Sequence, residues 1–141
     1  MADAAVTREG GCLCGRVRFT ASGEPVAKAF CHCPSCRRAA GAPVVAWAMF
    51  PLGSVRFTAE ALSRYESSPG VVRGFCSRCG TPVSYEGPLI DGLIDLTIAA
   101  FDLPGELKPD IHVWHRHRLP WMPVEDGAVT FDELPEGPPP G

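Results

Sequence analysis

The chain has seven cysteines, and all of them fall into three short groups. The groups are the C-x-C pair Cys12 and Cys14, the C-x-C-x-x-C triplet Cys31, Cys33 and Cys36, and the C-x-x-C pair Cys76 and Cys79. Unrelated buried cysteines, which act as small apolar side chains, would be scattered along the chain. Grouped thiols at these spacings are typical of zinc sites. The cysteines therefore predict metal binding.

Each spacing has a geometric interpretation. Side chains two residues apart on a strand point to the same face, so we expect a C-x-C on a strand to aim two thiolates at one point. In the C-x-x-C pair, Gly80 follows the second cysteine and allows the backbone to curl over a metal, as in a zinc knuckle. The triplet combines both spacings. Each group is thus expected to present its thiols to a single ion.

The seven thiols can be divided between two ions in two ways. In the first, the two pairs bind one zinc with four thiolates, and the triplet binds a second zinc that keeps an open fourth position. In the second, the N-terminal pair joins the triplet, and the C-x-x-C pair lacks partners. We favour the first, because a closed four-ligand zinc is typical of structural sites and an open three-ligand zinc of catalytic sites. This predicts two Zn²⁺ ions per chain.

The elements that must position these thiols are mostly short strands separated by Gly and Pro. The strand candidates, chosen by alternating or continuous apolar residues, are 16–19, 44–50, 54–58, 64–67, 71–75, 82–85 and 94–101. One short helix is predicted over 34–40, directly after the start of the triplet, with Pro34 in its first turn and Gly41 at its end. The sequence therefore predicts a mainly β fold with one helix.

Composition and charge exclude several classes of protein. The chain has 141 residues, of which 45% are hydrophobic and 21% charged, which is typical of one globular domain. A net charge of −3 argues against a nucleic-acid partner. The longest apolar run, 43–52, is far shorter than the ~20 residues that span a bilayer. No glycine-rich phosphate loop is present, so we expect no nucleotide cofactor.

The ends of the chain differ in composition from its middle. We expect an N-terminal arm over 1–9, a single zinc domain over 10–133, and a flexible Pro/Gly tail over 134–141. The N-terminus has no apolar segment typical of a secretory signal. We therefore expect a cytoplasmic protein, where thiols stay reduced.

The chain resembles the glutathione-dependent formaldehyde-activating enzyme family, which includes centromere-protein-V-like proteins. It does so in five segments that occur in the same order: GGCLCGRVRF, FCHCPSCRRAAGAPVVAW, FCSRCGTPVSY, IDLTIAAFD and HVWHRHRLPW. The resemblance runs from about Gly10 to Asp126. It implies a zinc-clamped β-tent of short antiparallel strands, similar to that of methionine-R-sulfoxide reductases.

The resemblance also implies the roles of the cysteines and an activity. Its structural zinc ligands would be Cys12, Cys14, Cys76 and Cys79, and its catalytic zinc ligands Cys31, Cys33 and Cys36, in agreement with the first division. The implied reaction joins glutathione and formaldehyde into S-(hydroxymethyl)glutathione. The expected function is therefore that of a carbon–sulfur lyase acting on an adduct of an aldehyde with glutathione or another small thiol.

Substrate contacts are predicted from the chemistry of glutathione. Its two carboxylates require cations, and Arg37 and Arg38 directly follow the triplet. Trp114, in an H-x-W pattern with His112, is expected to form a wall of the pocket. Surface solvation is the expected environment of Arg73.

Other polar residues carry weaker expectations. Arg78 is expected to be solvated, and His32 is expected to lie behind the thiols or to face solvent. Asp95 and Asp102 are of a type that transfers protons, but no paired carboxylate accompanies them, so no general base is assigned.

Two other functions compete with the lyase. A non-catalytic zinc-binding interaction module of the centromere-protein-V-like type has no use for an open metal position, so the triplet favours an enzyme. A methionine-sulfoxide-reductase-like enzyme would need a redox cysteine outside the zinc sites, and all seven are used. The sequence leaves the oligomeric state open.

Overall fold

The computed structural model describes residues 6–57, 62–122 and 126–135. These ranges contain eleven strands and one α-helix: β1 Thr7–Gly11, β2 Arg18–Ser22, β3 Ala27–Cys31, α1 Pro34–Ala40, β4 Val45–Pro51, β5 Val55–Phe57, β6 Leu62–Ser68, β7 Val71–Cys76, β8 Pro82–Glu86, β9 Leu93–Thr97, β10 Ile111–Val113 and β11 Val129–Thr130. This confirms the prediction of a mainly β fold of short strands with one short helix. Within the described ranges, no helix has the length and apolar character needed to cross a bilayer.

The strands form two sheets. The smaller sheet has the order β1-β2-β5, and the larger has the order β11-β10-β3-β4-β9-β8-β7-β6. Neighbouring strands are antiparallel, as expected, except that β10 runs parallel to both β3 and β11. Because β3 and β10 both lead into loops at the same edge, the triplet and the histidine-rich segment meet there.

The main hydrophobic core lies between the two sheets. Phe19 of β2 packs edge-to-face against Phe101, with ring centroids 5.0 Å apart, and Phe50 of β4 lies beside the same ring. The buried cysteines Cys12 and Cys76 belong to this core cluster. The C-x-C pair and the C-x-x-C pair, which are far apart in the sequence, therefore each have one cysteine packed in the core.

The helix matches its predicted bounds because its capping residues are local. The Sγ of Cys33 accepts a hydrogen bond from the backbone N–H of Cys36, and Pro34 occupies the first turn. Gly41 ends the helix in the left-handed conformation, with φ +62°.

Some strands differ from their predicted bounds. The candidate 94–101 ends early, because Ile98–Ala100 forms a 3₁₀ turn, and the candidate 16–19 shifts to β2. Strands β1, β3, β10 and β11 were not predicted. β1, for example, contains two glycines and is formed by its pairing with β2, from Thr7↔Ser22 to Gly11↔Arg18. It includes residues 7–9 of the expected arm. Residues 1–5 and 136–141, at the two ends, lie outside the described residues.

Candidate metal centres and the adjoining cavity

Two loops bring four thiols together at the edge of the main core. Cys12 and Cys14 lie in the turn after β1, Cys76 is the last residue of β7, and Cys79 follows three residues later. Their Sγ atoms all lie within 4.8 Å of one another. The C-x-C pair lies in a turn, so the expectation that a strand aims these two thiols is wrong. We call these four cysteines the four-thiol group.

The C-x-x-C half of this group has the knuckle geometry predicted from the glycine. Gly80 adopts φ +82°, and its N–H donates a 2.9 Å hydrogen bond to the carbonyl of Cys76. The Sγ of Cys76 accepts N–H groups from Arg78 and Cys79, both at 3.3 Å. These two contacts fix the position of the Cys76 sulfur inside the knuckle, close to the other three thiols.

Thr81 joins the two loops of the four-thiol group. Its hydroxyl oxygen accepts the N–H of Leu13 at 3.0 Å and lies 3.3 Å from the Sγ of Cys79. The contact with Thr81 lowers the pKa of Cys79 to about 5. The contacts between the two loops thus favour the thiolate form of Cys79.

The remaining three thiols form a second cluster, the triplet. Cys31 ends β3, Cys33 caps α1, and Cys36 lies in the first turn of the helix. Their Sγ atoms also lie within 4.8 Å of one another. Hydrogen bonds from Cys31 and then Cys36 lower the pKa of Cys33 to about 2, whereas the bond to Cys33 raises the pKa of Cys31. Three thiols this close share their protons unequally.

The structure therefore groups the cysteines as four and three, and the mixed division is not found. Both sets fit a divalent metal that prefers sulfur, because every donor is a thiol and the donors converge. The four-thiol group has the donor number of a closed tetrahedral site. The triplet leaves a fourth position for another ligand.

A cavity of about 500 Å³ lies beside the triplet. Its floor is one face of the larger sheet, on which alternate residues of β3, Ala27, Ala29 and Cys31, point the same way. Ala29 pairs with Trp47 of β4, and Ala27 pairs with Met49. The two small alanines leave open space, and Trp47 and Met49 supply apolar walls.

Farther across the larger sheet, the floor of the cavity includes polar side chains. Asp95 of β9 pairs with Met49 on one side and with Tyr85 of β8 on the other, and Tyr85 pairs with Arg73 of β7. All four line the cavity. Burial raises the pKa of the Asp95 carboxyl to about 7. Among the described residues, the floor thus carries one arginine and one acidic side chain among largely apolar neighbours.

Arg73 approaches the triplet directly. Its Nη1 lies 3.8 Å from the Sγ of Cys36, its guanidinium carbon lies 5.1 Å from the centre of the Tyr85 ring, and its Nε donates to the hydroxyl of Ser67 at 3.3 Å. The expectation that Arg73 is a solvated surface residue is wrong. Only the strand pairing brings it to Cys36, so the sequence contained no local signal for this contact.

The other predicted contacts are placed differently. Trp114 lines the cavity, as expected of a pocket wall. Arg37 and Arg38 lie on the helix after Cys36 but are not among the described residues that line the cavity. Successive helical residues turn by about 100°, which carries the two arginines away from the face that holds Cys36. Arg78 is exposed, as expected.

Two buried histidines and an exposed aspartate form a chain of polar side chains behind the triplet. The Nε2 of His32 lies 2.9 Å from the Nδ1 of His112, whose Nε2 lies 2.9 Å from a carboxylate oxygen of Asp126. His32 is fully buried, so the alternative that it faces solvent is wrong. Burial, with His112 nearby, lowers the pKa of His32 to about 4, so its ring is neutral at pH 7. Phe30 stacks on His112 and completes the packing.

Comparisons with known proteins agree with this architecture. A family model described as "Glutathione-dependent formaldehyde-activating enzyme" matches residues 7–117. A search of curated proteins finds no match. Among solved structures, the chain is similar to a Rhodobacter sphaeroides protein whose crystal structure came from a structural genomics programme. The two are 22% identical with a TM-score of 0.57, over 86% of this chain and 97% of that one, and the likeness shows the fold.

Proposed function

This chain belongs to the glutathione-dependent formaldehyde-activating enzyme family, and from that premise we propose that it is a zinc-dependent carbon–sulfur lyase. Its substrate is an adduct of an aldehyde with glutathione or another small thiol. One observation carries the proposal: a cluster of three thiols, short of a fourth ligand, lies against a cavity large enough for a small molecule. A cluster that served structure alone would be closed by a fourth protein ligand.

The two thiol clusters have different roles in this proposal. The four-thiol group holds a structural zinc that ties the turn after β1 to the knuckle after β7. The triplet holds the catalytic zinc. A zinc ion bound by three thiolates supplies a position that accepts an incoming thiol and favours its deprotonated form.

The side chains of the protein supply positioning and charge. Arg73, beside Cys36, offsets part of the negative charge that three thiolates concentrate at the end of the cavity. Trp47, Val113 and Trp114 line the same space and exclude water from the reacting atoms. In the forward reaction a carbon–sulfur bond forms, and the proton of the thiol ends on the aldehyde oxygen; the lyase direction reverses both changes. Holding thiol and aldehyde together supplies the rate advantage.

The free thiols also indicate in which cellular compartment the protein works. All seven cysteines are free in the structure. Thiols that must bind metal are kept reduced in the cytoplasm, which supports the proposal that the protein works there.

Binding of glutathione and of S-methylglutathione tests the proposal. The two ligands have the same carboxylates, but the thioether cannot become a thiolate. We expect the zinc-loaded protein to bind glutathione at least ten-fold more tightly by calorimetry, with release of a proton near pH 7. Cys36→Ser should remove this difference. Exchange on S-(hydroxymethyl)glutathione, followed by NMR magnetisation transfer, should run faster with the wild type than with Cys36→Ser.

The outcomes separate the functions. Equal affinity for glutathione and its methyl thioether would refute thiol capture and favour a non-catalytic interaction module. Binding with no acceleration of exchange would refute the lyase and favour a thiol carrier.

A further inference from the structure

The polar groups of the cavity do not match the charges of glutathione. Glutathione has two carboxylates and one ammonium group. Among the described lining residues, Arg73 is the only arginine or lysine, and its guanidinium already contacts Cys36, Tyr85 and Ser67. His117 adds one imidazole to the same lining. Burying a carboxylate without a cationic partner is costly. The described lining therefore offers one guanidinium group, already in contact with three side chains, and one imidazole for two carboxylates.

The side chain of Asp95 places a carboxyl group in the floor of this cavity. Within the described part of the chain it has no hydrogen bond and no ion pair. Its neighbours across the sheet are Met49 and Tyr85. Asp95 is half-buried and faces the cavity, so its carboxyl group is available to a ligand that donates a hydrogen bond.

Asp95 and the triplet lie at different positions along the strand direction, and residues that pair across the sheet are here called level with one another. Asp95 is level with Ala27 through Met49, and Cys31 lies four residues farther along the same strand as Ala27. At about 3.3 Å per residue, the two levels are roughly 13 Å apart along the strands. Between them, one row of the sheet carries the apolar side chains of Ile111, Ala29 and Trp47. Arg73, which is level with Asp95 through Tyr85, extends its guanidinium to Cys36 on the other side of the cavity. A ligand that reaches both ends therefore passes this apolar row on one side and Arg73 on the other.

We propose that the cavity selects thiols, and their aldehyde adducts, that have an apolar body and a hydroxyl or ammonium group at the far end, where Asp95 binds it. This inference rests on the proposed function, because the triplet must capture the thiol. It ranks thiols that lack carboxylates above glutathione in affinity. Asp95 is then a residue that determines specificity.

Four thiols test this selection: 6-mercaptohexan-1-ol, 6-amino-1-hexanethiol, 6-mercaptohexanoate and glutathione. The first three share one apolar chain and differ only in the terminal group. Titration calorimetry on the zinc-loaded protein should give dissociation constants for the hydroxyl and amino thiols at least ten-fold lower than for the other two. Asp95→Asn should remove most of the preference for the amino thiol over the carboxylate thiol. Asp102→Asn, which alters a carboxylate that does not line the cavity, should keep it.

Each outcome has a distinct meaning. Glutathione binding as tightly as the apolar thiols would overturn this inference and leave the lyase proposal intact. Equal affinity for the three six-carbon thiols, or an unchanged preference in Asp95→Asn, would overturn the role of Asp95. Failure of every thiol to bind the wild type, or equal binding to Cys36→Ser, would overturn the proposed function as well.

Discussion

Asp95→Asn should stabilise the protein, and by more at alkaline pH than at acid pH. The pKa of Asp95 is about 7 in the folded chain, because burial penalises its charge, against 3.8 when unperturbed. A carboxyl whose pKa is raised by folding stabilises the folded state below the unfolded pKa, near 4. That contribution is lost as the pH rises to about 7. Asparagine has no charge to bury and is free of this loss.

The size of the effect follows from the pKa shift. A shift of about three units corresponds to about 4 kcal/mol at pH values above 7, since each unit is worth about 1.4 kcal/mol. The carboxyl borders the cavity and keeps some contact with water, so this value is an upper limit. Between pH 5.5 and 8.5 the advantage of asparagine should grow by about 2 kcal/mol. Burial of the amide costs the same at every pH and cancels from this difference.

Urea denaturation of both proteins at pH 5.5, 7 and 8.5, with zinc present, measures this difference. Comparing the two proteins at each pH removes the pH dependence of metal binding, which they share. Asp102→Asn is the matched control: the hydrogen bond from Arg18 lowers the pKa of Asp102, so its contribution is lost only below pH 4 and should be constant over this range. A difference between wild type and Asp95→Asn that does not change with pH would refute the reasoning.

Three further predictions follow from the metal sites and the core. Protein purified without chelator should contain close to two zinc ions per chain by mass spectrometry, and a ratio of one would contradict two sites. Cys79→Ser should leave the chain largely unfolded by circular dichroism, since a structural zinc contributes about 10–16 kcal/mol, as much as a whole domain's stability. Cys36→Ser should fold with one zinc and a modestly lower Tm, and equal unfolding of both variants would contradict the assigned roles. Gly10→Ala places a methyl group 2.5 Å from the carbonyl oxygen of Ala100 and should cost about 1–3 kcal/mol, whereas Gly53→Ala meets nothing within 4 Å; equal stabilities would contradict this packing.

The features that depend on near neighbours in the chain could be predicted from the sequence. The helix after Cys33 begins and ends where its cap, its proline and Gly41 require. The knuckle at Gly80 forms as its spacing predicts. The division of the thiols into four and three was also predicted, because only that division completes one tetrahedral set. The spacing of the cysteines and the number of ligands in a tetrahedral site can both be read from the sequence without knowledge of the fold.

The environment of the triplet was decided by the tertiary structure. Arg73 reaches Cys36 from a strand 37 positions away, and His32 contacts His112 across 80 positions. Asp95 faces the cavity because β9 pairs with β4 and β8 in one register, and a shift of one residue would turn it to the opposite face. Strand register is fixed by the packing of the whole sheet, so no short pattern predicts which side chains surround the thiols. The sequence by itself determined which residues could bind metal, and the sheet determined what a ligand meets beside them.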